Sequence, residues 1–245
     1  MAREAVLVLV VTFAYFLTRG LIRGRADAAF AHAAALLRAE HALHLAPERR
    51  VQALILPHRW LVHATNGVYE YGHLPVLVAV AVWLYGKRPA AYPTYRLAFL
   101  LTALLGLSIY VLYPVAPPRF LPGFVDTMQR YSFNVDGSAF GPFYNPYAAM
   151  PSLHVAWALL IGIALVRCAA SRCGKGFGLL LPPAMILAVI GTGNHYLLDV
   201  IAGILTTLIA VVLATCVARH TRPRASPLPP VTPVREHRKR RGRNS

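Results

Sequence analysis

Long apolar stretches punctuated by short basic loops set the pattern of this chain. A helix needs roughly 20 apolar residues to cross the hydrocarbon core of a bilayer. Six stretches approach that length, at about 4–22, 60–85, 95–114, 151–169, 176–193 and 195–217. Two segments differ. In 26–56, Ala, Leu and His alternate with Arg38, Glu40, Glu48, Arg49 and Arg50, which predicts one or two amphipathic helices lying on the membrane surface. Residues 114–150 are rich in Pro, Gly, Asn and aromatics. A loop this long in a compact protein is functional or disordered, and its aromatics favour a packed cap. The fold class expected is all-α: a polytopic membrane protein with a six-helix transmembrane bundle, an amphipathic surface helix and an extracytoplasmic loop.

Composition supports a lipid solvent. Hydrophobic residues make up 57% of the chain and charged ones 14%, where soluble domains carry about a quarter charged. The net charge of +16 is unevenly spread, since Arg219 to Ser245 holds nine Lys or Arg, five prolines and one acid, Glu236. The chain thus divides into a membrane-embedded domain, 1–218, and a basic, Pro-rich disordered tail, 219–245. Because the tail follows a span, its expected partner is the anionic cytoplasmic leaflet and not nucleic acid. Lys87, Arg88, Arg96, Arg172 and Lys175 fall in loops that would share the tail's side, so the positive-inside rule puts the 114–150 loop and the start of the last span outside the cell membrane. The six arginines of 23–59 oppose this orientation, although a surface helix can bind lipid phosphates on either face.

Ala5 to Leu17 has the length of a signal-peptide core, with cleavage near Ala31 as the alternative reading, but Arg19, Arg23 and Arg25 read as the flank of a retained helix. Cys168, Cys173 and Cys216 lack metal spacing or even pairing and are expected to be free thiols. No dinucleotide, Walker or HExxH motif occurs.

Two short motifs open helices and carry the chemistry. Pro151-Ser152-Leu153-His154 puts a proline at a first helical position, and Gly193-Asn194 supplies a turn and an N-cap before His195-Tyr196-Leu197-Leu198-Asp199. Helix N-termini present unpaired N–H groups and partial positive charge, so two of them on one membrane face suit a phosphate. His195 and Asp199, four apart, lie on one helical face. Asp199 can accept the Nδ1 proton of His195 and leave Nε2 free to attack phosphorus. A carboxylate there costs about 2.5–3.5 kcal/mol to insert. In the loop, Pro114-Val115-Ala116-Pro117-Pro118-Arg119 holds an always-charged fork for phosphate oxygens in an extended frame.

With these residues in place, the chain resembles the type-2 phosphatidic-acid phosphatase superfamily. Pro-x-x-Pro-Pro-Arg, Met-Pro-Ser-Leu-His and Gly-Asn-His-Tyr-Leu-Leu-Asp are closer to its inositolphosphotransferase branch, which includes inositol phosphorylceramide synthase. The likeness is strong over roughly 110–205. It implies a six-helix bundle and metal-free catalysis without a cofactor, through a phosphohistidine on His195. Asp199 would orient the nucleophile and His154 would protonate the leaving alkoxide. Ser152 and Arg119 would hold phosphoryl oxygens, together with Leu153 and Asn194 from the same motifs. The chain departs from the family pattern where a lysine, a serine and an arginine are replaced by Leu112, Ala188 and Val189, and Leu153 stands for a glycine. Two phosphate-binding cations are thereby lost, which favours a singly charged phosphodiester over a monoester.

His63, Asn66, Glu70 and His73 form a polar stripe at spacings of three, four and three in the second span. Polar groups at such depth face a bundle interior or a wet cavity, so they either line the substrate pocket or bond neighbouring helices. Spread over almost three turns, they are not expected to bind metal. Together the residues point to a lipid phosphoester as substrate and a polyol or lipid alcohol as acceptor. Water as acceptor would make the protein a phosphatase, and a non-catalytic lipid-binding or transport protein is the rival from another class.

Overall fold

The computed structural model describes residues 24–131 and 146–221, with scattered positions among the first 23. The basic tail from 222 onward and the middle of the long loop lie outside the described residues. The positions described between 4 and 21 are helical. After them come α1 (Ala26–Ala42), α2 (Glu48–Ile55), α3 (Arg59–Tyr71), α4 (Leu74–Lys87) and α5 (Tyr92–Leu112). A 3-10 turn (Pro118–Phe120) and the short α6 (Thr127–Tyr131) follow, and then α7 (Leu153–Cys168), α8 (Arg172–Gly191) and α9 (Leu197–Thr221). Among the described residues the fold is all-helical, apart from one isolated parallel bridge between Val115 and Ala148.

Among the described residues, three helices, α5, α8 and α9, are long and apolar enough to cross a membrane, and the pair α3–α4 makes a fourth candidate. The expected single span at 60–85 is instead two helices bent by 46°. Pro75 explains the break. It has no N–H for the carbonyl four residues back, and it disfavours helical backbone in the residue before it. Gly72 and His73 sit in the corner.

The outer faces are apolar, with Leu104, Leu112, Leu205 and Val212 all well exposed. A soluble protein would bury them. The core lies between helices and draws on α7, α8 and α9 through Val155, Ile161, Met185, Val189 and Val200. Helix α7, expected over 151–169, has 16 residues, about 24 Å, less than the roughly 30 Å of a hydrocarbon core. It is the central helix, packed on α4, α5, α8 and α9.

Small residues let these helices approach closely. A Cβ on Gly162 of α7 would stand 2.5 Å from the Gly178 carbonyl oxygen of α8, and one on Gly203 of α9 would stand 2.4 Å from the Ser152 carbonyl oxygen. The second contact brings the starts of α7 and α9 together, and both carry motif residues. At the opposite end, Arg88 donates to the Cys168 carbonyl at 2.8 Å, so the basic loops after α4 and α7 lie together, away from that junction. All three cysteines are free thiols.

Candidate active site

His195 precedes α9, in a turn that begins at Gly193 with φ of +72°. Its Nδ1 lies 2.8 Å from the Ala149 carbonyl oxygen and 3.5 Å from Asp199 Oδ2. A carbonyl and a carboxylate can only accept, so Nδ1 carries the proton and Nε2 keeps its lone pair. The sequence suggested Asp199 as the orienting partner. The closer partner is the backbone of Ala149, because Asp199 Oδ2 is also engaged by the Tyr196 N–H at 2.9 Å.

Ala149 is itself fixed. Val115 donates to the Tyr147 carbonyl at 2.9 Å, and Ala149 donates back to the Val115 carbonyl at 3.2 Å. Tyr196, fully buried, donates its hydroxyl to the Ala116 carbonyl at 2.9 Å. The described parts of the loop are therefore packed, as the aromatics implied.

The ring of His154 is 5.7 Å from that of His195, centroid to centroid. Tyr69 stacks on it at 4.3 Å, and His73 stands 4.2 Å away at a tilt. Arg119 arrives from the loop, its backbone N–H on the Gly193 carbonyl at 2.8 Å. Its Nε lies 3.3 Å from Asp126 Oδ2, and its guanidinium sits over the Phe120 ring. His154, His195, Arg119, Leu153 and Asn194 all line one cavity of about 640 Å³.

Ser152 does not line it. Its hydroxyl accepts the Val155 N–H at 3.4 Å, so Ser152 is the N-cap of α7, and Pro151 lies before the helix instead of at its first position. Asn194 is not the cap expected for the last helix, which starts at Leu197; its amide donates to Thr192 Oγ1 at 2.7 Å. Of the polar stripe, His73 alone reaches the cavity. Asn66 is paired to Thr127 through both ends of its amide, at 2.8 and 2.9 Å. His63 is exposed and Glu70 half-buried, both outside the cavity wall. Helix α3 ends at Tyr71, so His73, in the corner, is off the helical face that carries the others. No group of three His, Cys, Asp or Glu among the described residues could hold a metal ion.

The start of α9 is not an open anion site. Leu197 donates to Glu48 Oε1 at 2.8 Å, Leu198 to Glu40 Oε1 at 2.7 Å and Tyr196 to Asp199. Two carboxylates from the peripheral helices α1 and α2 thus complete the helix end where a phosphate was expected. Burial, with the neighbouring Glu48 and Asp199 carboxylates, pushes the Glu40 carboxyl up to about 8. Burial also raises Glu48, against the bond from Leu197 that favours its charged form. Gln52 bonds the backbone of Val125 in both directions at 2.8 Å and so clasps α2 to the loop. These acids were read from the sequence as surface charges. Their signal was scarcity, since the chain has nine acids against 25 Lys and Arg. No cation stands at the departed family positions: Leu112 is exposed on α5, and Ala188 and Val189 are fully buried.

A family model described as the PAP2 superfamily matches residues 34–213. The chain is also similar to a protein of Bacteroides thetaiotaomicron named phosphoinositol dihydroceramide synthase. The two are 28% identical over 173 residues, which cover 62% of this chain and 55% of that protein. The chain thus spans about half the length of that relative. No solved structure matches it.

Proposed function

The chain belongs to the PAP2 superfamily, and from that premise we propose a multi-pass membrane enzyme that moves a phospho-alcohol group from a lipid phosphoester to an alcohol through a phosphohistidine. The observation that carries the reading is the pair of imidazoles in one cavity, 5.7 Å apart, with Nδ1 of His195 held on the Ala149 carbonyl. His195 Nε2 gives its lone pair to phosphorus as the bond to the lipid oxygen breaks. His154, as imidazolium, passes its proton to the departing alkoxide. The neutral His154 next takes the proton of the acceptor hydroxyl, whose oxygen attacks phosphorus and releases His195.

Arg119 binds a phosphoryl oxygen, and Leu153 and Asn194 border the phosphorus. Ser152 contributes by capping the helix that carries His154, and Asp199 balances the charge that His195 gains on phosphorylation. His73 and Tyr69 hold the His154 ring. Asp126 already offsets part of the Arg119 charge, so a phosphodiester with one negative charge suits the site better than a monoester. The donor class that fits is a lipid phosphodiester such as a phosphoinositol lipid, and the acceptor a lipid alcohol, in keeping with the name of the Bacteroides relative.

In this proposal the N-terminal helix and α3–α4, α5, α7, α8 and α9 make six spans within 1–218. The tail, 219–245, lies disordered in the cytoplasm, and the histidines face the extracytoplasmic side of the cell membrane. Donor lipid labelled at phosphorus should leave an acid-labile label on His195 that chases into a new lipid when a lipid alcohol is added. Label that chases only into a water-soluble phosphate ester would make water the acceptor. Absence of label on His195 with every donor would reject the covalent route.

A further inference from the structure

The cavity continues well beyond the histidines. It follows one face of α7, where His154, Trp157, Ile161 and Ala164 recur at spacings of three, four and three, the repeat of a single helical face. A rise of 1.5 Å per residue carries it about 15 Å from His154 to Ala164. That is half of the roughly 30 Å hydrocarbon core, the depth of one leaflet. Leu77, Ala81 and Leu84 of α4 and Phe99 and Ala103 of α5 make the facing walls. At the far end the Tyr92 hydroxyl donates to Glu4 Oε2 at 2.8 Å, and Arg96 pairs with the same carboxylate. All three residues border the cavity. A reactive polar mouth therefore opens into an apolar channel closed by a polar knot.

A polar headgroup gains nothing from such a channel, and a hydrocarbon chain fits it. Bringing a chain in from lipid is close to neutral, because the bilayer interior is as apolar as the channel. What the channel supplies is register. A chain lying straight behind His154 fixes how far the ester phosphorus stands from His195, and a misplacement of about 1 Å at a reacting centre can cost about a hundredfold in rate. The location also selects the chain. His154 stands at the mouth, and the oxygen it protonates belongs to the departing lipid alcohol, so the hydrocarbon attached to that oxygen is the one directed along α7.

We infer that the channel between α4, α5 and α7 holds one acyl chain of the lipid alcohol that leaves phosphorus, and that the small side chains Ala81 and Ala164 in its deep half set the longest chain admitted. This rests on the phosphotransfer reading for which lipid enters. The channel itself stands on its walls.

The test uses the full chain in phosphatidylcholine vesicles with phosphatidylinositols of short, medium and long acyl chains. Release of diacylglycerol is followed for the wild type, Ala81→Phe and Ala164→Leu. The ratio of long-chain to short-chain rate does not depend on how much protein is folded, and it should fall by at least about tenfold in each variant, the scale on which apolar pockets discriminate by added bulk. Equal losses at every length, or an unchanged ratio, would overturn the inference. A second measurement needs no turnover. Phosphatidylinositol carrying a diazirine at the end of one chain is photolysed with His195→Ala protein. Label on Leu77, Ala81, Leu84 or Phe99 supports the channel even if no lipid is ever cleaved. Label confined to the outward residues Leu104, Leu205 and Val212 excludes it, whatever the fate of the phosphohistidine.

Discussion

Asp199→Asn separates the two groups that hold the nucleophile. The Ala149 carbonyl lies 2.8 Å from His195 Nδ1 and Asp199 Oδ2 lies 3.5 Å from it. Because the carbonyl can only accept, the Nδ1 proton and the free Nε2 should survive the substitution. The asparagine keeps an oxygen for the Tyr196 N–H, now 2.9 Å from Oδ2, and its nitrogen takes the place of Oδ1, which is buried without a partner among the described residues. What disappears is negative charge beside an imidazole that turns cationic when phosphorus binds. At the observed 3.5 Å and an effective dielectric constant of about 20, Coulomb's law caps that loss at about 5 kcal/mol. Removing one preorganised electrostatic partner costs about 2.7–4 kcal/mol, or 10²–10³ in rate. An acid whose loss lets a catalytic imidazole adopt the wrong tautomer costs about 10⁴. The expected slowing of phosphohistidine formation in a single turnover is therefore about 10²–10³, with the melting temperature of the variant checked alongside. A loss near 10⁴ would mean that Asp199 and not Ala149 sets the tautomer. A rate equal to the wild type would remove Asp199 from the reaction.

Three other outcomes follow from the geometry. Glu40, ordinarily near 4.5 and raised to about 8, keeps its proton in the fold while the unfolded chain releases it. Stability should thus be greatest at low pH and fall as pH rises from about 4.5 to 8, with a ceiling of about 5 kcal/mol. Glu40→Gln should flatten the melting temperature across that window, and parallel curves for the two proteins would refute the assignment. Arg119→Lys replaces a fork with a point charge and should slow transfer about 10²–10³-fold at saturating donor, so an unchanged kcat would dismiss Arg119 as the phosphoryl ligand. Gly203→Ala would put a Cβ 2.4 Å from the Ser152 carbonyl oxygen and should cost about 1–3 kcal/mol; a melting curve identical to the wild type would show that α9 has room to move.

Side chains with local spacing were legible in the sequence, and backbone groups and distant partners were not. His195 and Asp199 four apart, and His154 behind Pro151, announce their faces from a few residues of context. Ala149 orients the nucleophile through its carbonyl, which leaves no mark on residue identity. Glu40 and Glu48 meet α9 about 150 residues along the chain, and their alternation with Arg38, Arg49 and Arg50 read as a solvated surface instead. The polar stripe does not stay on one face because helical spacing carries it past Tyr71, where α3 stops, to His73 in the corner before Pro75. Hydropathy averaged over a window sees 60–85 as continuous, whereas a single missing N–H does not register in such an average. The long apolar helices α5, α8 and α9 were legible for the opposite reason, since apolar length is a sum over many residues and tolerates individual exceptions.

The carboxylates of Glu40 and Glu48 have one further consequence. The last helix begins two residues after His195, and two of its first amides are satisfied from helices at the rim of the molecule. Anything that peels the rim away, a harsh detergent or a crowded anionic leaflet, withdraws those acids and frays the turn beneath His195 while the bundle stays intact. Activity should then vanish before helicity does, and gentle solubilisation becomes a condition for seeing turnover at all.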